Sequence, residues 1–435
     1  MILDFTISNF RSIKEPQTLS FEATKDTHLE DYFVVRRGKY RVLKMLTLMG
    51  ANASGKSNIL EAFCMLHELF FDPCENKTDT IEYDRFVLDA ASVAGDSMMA
   101  VNFLLGEARY SYKVVFNPQY VRSERLDCQP FDALRAQNVF ERTLDVDTMT
   151  SAIKWGENYR STANRALVDN LLPNRTVFGT FQKINANIPW MREIAEWLYS
   201  YQLPPVRTTE QNLSRYTIDY IEKNPGARRQ LVSLLRHADL GVCDYKVEKQ
   251  EIPIPDFMLE EMKHNTDLPQ DIRNQLLTKN SVTRYVVKLA HSGTDAPVYI
   301  DFDEESLGTQ RYFELAGVLL RLINESHLVP VDELESRMHP DLLEYFISVY
   351  IENSSDSQLV FTTHNNDFLG DRDSYRDDSV WFTEKDEFGA TTLFSLADFG
   401  SDILRKSTNR YNAYTAGRLG AKPVTGPTIL PQKEN

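Results

Sequence analysis

The sequence predicts an α/β protein of two lobes with a helical insertion between them, and three observations carry that reading. The octet GANASGKS, Gly50 to Ser57, stands directly after an apolar run and before a helix-like segment. A second apolar run late in the chain ends in Asp332 and Glu333. Between them lies a stretch that contains Trp155, Trp190 and Trp197 and is broken by Pro189, Pro204, Pro205 and Pro225.

A chain of 435 residues has room for two or three domains and an ample core. Hydrophobic residues at 42% and aromatics at 11% exclude a disordered polymer. The formal net charge of −15 argues against a protein that coats nucleic acid by bulk attraction. One local basic cluster remains, Arg36, Arg37, Lys39, Arg41 and Lys44, and it reads as a solvated face. The four cysteines form no CxxC pair, which suggests neither a zinc knuckle nor a disulfide framework and fits the cytoplasm. The N-terminus alternates apolar and polar residues, as a strand does and a leader peptide does not. No run reaches the ~18 apolar residues needed to span a bilayer, so no membrane is implied.

Residues 1–126 read as the N-terminal lobe. Ile2, Phe5 and Ile7 suggest a first strand that ends in the NFRS stretch, Asn9 to Ser12. A strand over Val42 to Met49 and a helix over Asn58 to Phe71 flank the octet. Gly50, four residues, Gly55, Lys56 and Ser57 are the spacing of a P-loop. A glycine-rich turn lets consecutive N–H groups face a phosphate chain, and the following helix adds its positive end. Lys56 would reach the β- and γ-phosphates of ATP, and the Ser57 hydroxyl would ligate Mg²⁺. Further strands are expected at Met99 to Leu105, Tyr110 to Phe116 and Tyr120 to Leu126. The segment from Asp72 to Asp96 is loop-rich.

Residues 127–284 form the expected insertion. Helical spacing shows in Trp190, Ile194, Trp197 and Leu198, but proline interrupts it too often for a long coiled coil. Its tryptophans read as core, with a ligand stack as the alternative.

Residues 285–400 read as the C-terminal lobe, followed by a tail over 401–435. Strands at Tyr285 to Leu289 and Val298 to Phe302 precede EESLGTQRYFELAGVLLRLI. Ser306, Gly308 and Thr309 stand before an amphipathic helix whose stripe is Phe313, Ala316, Leu320 and Ile323, a second place where N–H groups could face a phosphate. Helix capping is the alternative for those three residues. LVPVDELESRMHP then gives an apolar strand ending in two carboxylates. Asp332 would hold Mg²⁺, and Glu333 would position or deprotonate a water. Pro330 inside that strand implies a bulge or a strand end. A strand over Gln358 to Phe361 delivers Thr362, Thr363 and His364, whose imidazole could sense a γ-phosphate. The acidic run Asp371, Asp373, Asp377 and Asp378 matches no metal spacing and reads as a solvated loop.

Taken together, the NFRS strand and GANASGKSNILEA resemble the ATPase heads of the SMC, RecF and recombination-repair families, close to GxNGSGKSNxxxA. The match covers Asn52, Ser54, Asn58 and Ala62; Ala53 departs from the usual glycine. The resemblance implies nucleotide contacts by Asn52, Ser54 and Asn58. It also implies an Arg11 near the phosphates, with an exposed strand-end arginine as the alternative. Ser306, Leu307, Gly308 and Thr309 resemble the ABC signature, Asp332 and Glu333 Walker B, Glu335 to Pro340 the D-loop, and His364 the switch histidine. The order implies an ABC-type ATPase head working as a head-to-tail homodimer, two ATP molecules buried between P-loop and signature. Its Q-loop glutamine is not placed: neither Gln119 nor Gln182 has fitting context.

DELESRMHP, LVFTTHNNDFL, VWFTEKDEFGATTLFSLADF, YTAGRLGAKP and VFER at Val139 to Arg142 are similar to bacterial abortive-infection ATPases of the RloA and AbiL type. They are also similar to the ATPase subunits of PARIS-type modules and, more distantly, to OLD-family nucleases. The resemblance implies a sensor or scaffold for anti-phage defence, with a phage-derived trigger and a separately encoded toxic effector. Only 35 residues (435 − 400) follow Gly400, too few for the TOPRIM nuclease of OLD proteins, so a TOPRIM-type nuclease is one candidate for the separate effector. Two rivals stand beside this reading. A RecF-like repair ATPase would bind DNA directly, which the basic cluster favours and the net charge does not. A scaffold with structural ATP would turn over little.

Overall fold

The computed structural model of the chain describes residues 1–207, 213–264, 278–370, 374–400 and 409–423. The chain divides into two units, Met1–Thr209 with Leu322–Glu335 and Ile347–Asn435, and Glu210–Arg321 with Ser336–Phe346.

In chain order the strands begin with β1 (Ile2–Ser8), β2 (Gln17–Ser20), β3 (Val34–Arg37), β4 (Tyr40–Leu43), β5 (Met45–Gly50), β6 (Ser97–Leu105), β7 (Ala108–Phe116), β8 (Val121–Pro130), β9 (Gln137–Asp145) and β10 (Thr150–Trp155). The second unit supplies β11 (Val242–Pro253), β12 (Ser281–His291) and β13 (Val298–Asp301). The first unit resumes with β14 (Leu328–Val331), β15 (Gln358–Thr362), β16 (Val380–Lys385) and β17 (Thr391–Ser395).

The first unit holds two large sheets. One is antiparallel, in the order β10-β9-β8-β7-β6-β1-β2. Its strands alternate, so that Met99, Val101 and Phe103 of β6 are buried while Met98, Ala100 and Asn102 between them are half-exposed. The other has the order β14-β15-β5-β16-β17 and is parallel except for the β16–β17 hairpin. All six residues of β5 are buried, as a central parallel strand requires. Between the sheets packs the helix Lys56–Phe71, with Phe63 against Phe5 (4.6 Å between ring centroids) and Phe70 against Tyr112 and Phe178 (4.9 and 4.8 Å). Each such ring removed from water is worth roughly 1.5–3 kcal/mol. The buried Gln358 stitches the sheets, since its amide donates to the Ile2 carbonyl (2.8 Å) and its Oε1 accepts from Ile2 N (2.7 Å).

Several elements differ from the sequence expectation. The run from Val42 to Met49 is two strands, because Lys44 interrupts it and turns inward. Its ammonium donates to the carbonyls of Ile351 (2.6 Å) and Ser354 (3.0 Å), and burial pulls it down to about 8. Pro330 makes neither bulge nor strand end. It pairs in register with Val360 on an edge strand, where proline is tolerated, and its carbonyl accepts from Val206 N at 2.9 Å. The loop-rich segment before β6 contains one short helix, Ala90–Ala94, capped by Asp89. The antiparallel sheet runs past residue 126 to Trp155, and the helices Asn164–Asn170, Val177–Lys183 and Pro189–Tyr201 belong to the same unit. Trp197 stacks on Phe103 (4.8 Å) and Tyr201 (4.9 Å), while Trp155 and Trp190 meet edge to face (6.4 Å), so the tryptophans pack among aromatic neighbours.

The acidic run is not a solvated loop throughout. Asp378 is buried against Arg376 (2.6 Å) and accepts from Thr24 N (2.8 Å), and Asp377 pairs with Arg410. Asp371 and Asp373 lie outside the described residues.

In the second unit, the helices Leu213–Lys223 and Pro225–His237 accompany the antiparallel sheet β11-β12-β13. The helix Leu307–Asn324 approaches the first of them closely at Gly317, where a Cβ would stand 2.6 Å from that of Thr217. The α/β class expected from the sequence is observed, and the sheet β11-β12-β13 joins strands of the expected insertion and of the expected C-terminal lobe in the second unit.

Candidate functional site

The octet leaves β5 and enters the helix at Lys56 as a P-loop does. Its turn needs backbone that L-residues avoid. Gly50 has φ +152 and Gly55 φ +108. A Cβ on Gly50 would come within 2.7 Å of Thr383 Oγ1, and one on Gly55 within 2.9 Å of Ser12 Oγ. Glycine is therefore required at both ends. Ala53 has φ +62, so the position where the sequence departs from glycine is itself left-handed.

Hydroxyl groups fasten the loop from outside. Ser54 Oγ bonds to Thr383 Oγ1 of β16 (2.5 Å), Thr391 Oγ1 of β17 donates to the Ser54 carbonyl (2.8 Å), and Ser12 Oγ meets Thr391 Oγ1 (2.7 Å). Asn58 Nδ2 donates to Ser12 Oγ (2.6 Å). The NFRS stretch thus braces the loop through its serine.

Lys56 is buried, and its ammonium donates to the carbonyls of Gly50 and Ala51, both at 3.0 Å. Burial holds it below the ordinary lysine range, and the negative charges of Asp332, Glu333 and Glu335 pull it partly back up. Ser57 Oγ donates to Asp332 Oδ2 (2.9 Å), and Thr362 Oγ1 donates to Asp332 Oδ1 (2.6 Å). Thr362 Oγ1 also accepts from Glu333 N (2.7 Å), which fixes Glu333 in a left-handed backbone of φ +49. His364 is exposed, and its backbone N–H donates to Glu335 Oε1 (2.6 Å). The structure therefore brings Lys56, Ser57, Asp332 and Glu333 together, with His364 one strand away.

Glu333 and His364 line a cleft of about 830 Å³ together with Gly50 to Ser54, Thr363, Asn366, Thr383 to Lys385, Tyr414 and Ala421 to Pro423, while Lys56, Ser57 and Asp332 are not among its lining residues. Small-ligand sites run about 300–1,000 Å³. Ser57 and Asp332 offer hard oxygen donors in contact, a set that fits Mg²⁺, which takes few protein ligands and completes its shell with phosphate and water. Among the described residues no cluster of three or more His, Cys, Asp or Glu could hold a metal ion.

Other expected residues lie elsewhere. Arg11 does not line the cleft; it has φ +49 and pairs with Glu61 (3.7 Å) and Asp84 (3.9 Å). Ser306, Gly308 and Thr309 belong to the second unit. There Ser306 Oγ accepts from Thr309 N (3.1 Å), Thr309 is buried, and a Cβ on Gly308 would come 2.9 Å from the Arg337 carbonyl. Gln119 sits in a turn closed by Asn117, and neither it nor Gln182 lines the cleft. The basic cluster is largely neutralised. Arg36 and Arg41 bond to Glu30, Arg37 to Asp356 (2.5 Å), and Lys44 is buried.

Sequence reasoning missed Ser12, Thr362, Thr383, Thr391 and the segment from Tyr414 to Pro423 as parts of this site. A polar Thr closing an apolar strand, as in LVFT and VWFT, was the available signal.

Residues 233–370 match the family model described as "AAA domain, putative AbiEii toxin, Type IV TA system". That stretch carries Ser306 to Thr309, Asp332, Glu333 and His364 and stops short of the P-loop. No curated protein matches the chain. Among solved structures, the chain is similar to an SMC head bound to the C-winged helix domain of ScpA (13% identity, 91% of this chain and 97% of that chain, TM-score 0.42). It is similar also to the SMC head domain from Thermotoga maritima (12% identity, 91% and 98%, TM-score 0.40). A third is the Pyrococcus furiosus Smc head with an extended coiled coil bound to the C-terminal domain of ScpA (13% identity, 91% and 96%, TM-score 0.35). With the P-loop and the Asp332–Glu333 geometry, the match of residues 233–370 to an AAA domain supports a P-loop ATPase.

Proposed function

We propose that the chain binds and hydrolyses ATP in this cleft, and that its nucleotide state controls a separately encoded toxic effector in bacterial anti-phage defence. The observation that carries the chemistry is the contact chain from Ser57 through Asp332 and Thr362 to Glu333. Gly50 to Asn58 would cradle the phosphates, and Lys56 would exchange the Gly50 and Ala51 carbonyls for β- and γ-phosphate oxygens. Ser57 and Asp332 would hold Mg²⁺, whose charge offsets that of the phosphates. Glu333 would accept a proton from water as the water oxygen bonds to the γ-phosphorus and the bond to the β-phosphate oxygen breaks, releasing ADP and phosphate. His364 would donate to the γ-phosphate.

Ser306, Gly308 and Thr309 would serve the nucleotide of a second copy, joined head to tail, so that ATP closes the pair and hydrolysis loosens it. The defence role draws on the resemblance of the C-terminal stretches and on the description of the family model. Direct DNA binding through the basic cluster is disfavoured by the pairing of its arginines.

A pull-down from the native host tests the role, using Glu333→Gln to trap the ATP-bound assembly and Lys56→Ala as the nucleotide-free control. A distinct protein retained only by the trapped form is the expected result. Nuclease-sensitive DNA with no protein partner would move the repair reading to first place.

A further inference from the structure

Part of the cleft wall comes from the far end of the described chain. Tyr414, Ala421, Lys422 and Pro423 line it together with the P-loop, Glu333 and His364. This strap is built, not draped. The short helix Arg410–Thr415 is capped by Asn409, and the Tyr414 ring stacks on Phe382 of β16 (5.8 Å, 18° between planes). Gly417, Gly420 and Ala421, with φ of 76, 64 and 57, turn the chain back on itself. Leu419 is buried, Tyr414 donates its hydroxyl proton to the Ala421 carbonyl (3.2 Å), and Ala421 N donates to Glu384 Oε1 (3.2 Å). A Cβ on Gly420 would stand 3.1 Å from the Glu384 carboxylate, a tight contact at a position whose φ of +64 favours glycine.

The fixed point is Ala421, and the next residue is a lysine. Lys422 is exposed, and its ammonium donates to the Thr415 carbonyl (2.5 Å), a neutral acceptor of the strap itself. We propose that Lys422 contacts the γ-phosphate of bound ATP, a cation supplied in cis by the C-terminal strap; this rests on the ATP reading above. The cleft wall that Lys422 shares holds Glu333 and His364, which the ATP reading puts at the γ-phosphate end, whereas Lys56, Ser57 and Asn58 of the helix are not part of it. A triphosphate entering beside Glu333 and Glu384 meets negative charge, the lysines that line this cleft are Lys385 and Lys422, and charge on the γ-phosphoryl oxygens is what phosphoryl transfer must stabilise. A four-carbon stem lets the ammonium leave a carbonyl for a phosphate oxygen while the strap stays in place.

The test is competition binding of ATPγS and ADP to the full chain in the wild type, Lys422→Ala, Lys422→Arg and Lys385→Ala. Lys385 lines the same cleft from the end of β16. For Lys422→Ala the expected result is about a tenfold loss of ATPγS affinity, the worth of one charge-assisted contact, with ADP affinity unchanged. Lys422→Arg should restore most of it. Equal losses for both nucleotides would show a merely structural strap, and unchanged affinities, or a γ-specific loss only in Lys385→Ala, would overturn the assignment. Failure of the wild type to bind either nucleotide would instead strike the ATP reading itself. Thermal unfolding of Lys422→Ala should match the wild type, because the side chain is exposed.

Discussion

Ser57 Oγ donates to Asp332 Oδ2 at 2.9 Å across a sequence separation of 275. One residue opens the P-loop helix and the other closes β14, so the sheet order β14-β15-β5 is what joins them. On the proposed function, two oxygen donors held this way would make nucleotide affinity depend on Mg²⁺. Adding Mg²⁺ should tighten ATPγS binding to the wild type, and Ser57→Ala and Asp332→Asn should each lose most of that gain, about tenfold or more. Nucleotide titrations with and without Mg²⁺ check it.

Thr362 is the hub between the two carboxylates. Its hydroxyl donates to Asp332 and accepts from Glu333 N. Thr362→Val keeps the shape and leaves both groups short of a partner, which should cost about 1–3 kcal/mol of stability. It should also release Glu333 from its left-handed backbone, lowering kcat by more than it changes KM. Urea unfolding and steady-state kinetics give the two readouts.

Ala53 carries a side chain where φ is +62. An L-residue pays about 1–2 kcal/mol for that conformation, and Ala53→Gly should recover part of it without loss of nucleotide binding. A melting temperature below the wild type would contradict the local reading.

A buried pair ties β8 and β9 to the helix Val177–Lys183. Glu124 accepts from Tyr112 OH (2.9 Å) and Val177 N (2.7 Å) and faces Arg142 (3.7 Å), all buried. Burial pushes Glu124 up from 4.5 to about 7, against the downward pull of Arg142 and the two donors. The folded chain therefore binds this proton more tightly than the unfolded chain, and the stability it contributes is lost as pH rises from about 4.5 through 7. Glu124→Gln should flatten the pH dependence of the melting temperature over that window.

Local patterns made the centre of the site legible before any coordinates. A strand, a glycine turn and a helix sit contiguous at Gly50 to Phe71, and an apolar run marks its own end at Asp332 and Glu333. What stayed hidden depends on long-range contact. Ser12, Thr383 and Thr391 brace the loop from three separate strands or turns, and apart from the Thr that closes VWFT no local pattern announces them. Lys44, read as part of a solvated basic cluster, is instead received by two carbonyls of a distant segment. The basic cluster likewise lost its meaning only when Glu30 and Asp356 came into place beside Arg36, Arg37 and Arg41.

The most direct measurement is phosphate release from ATP by the wild type and by Glu333→Gln, with ATP binding measured on the same samples. The account expects turnover by the wild type, and in the variant a loss of about a hundredfold or more in kcat with ATP still bound. Phosphate release that is absent from the wild type, or unchanged by Glu333→Gln, would contradict it.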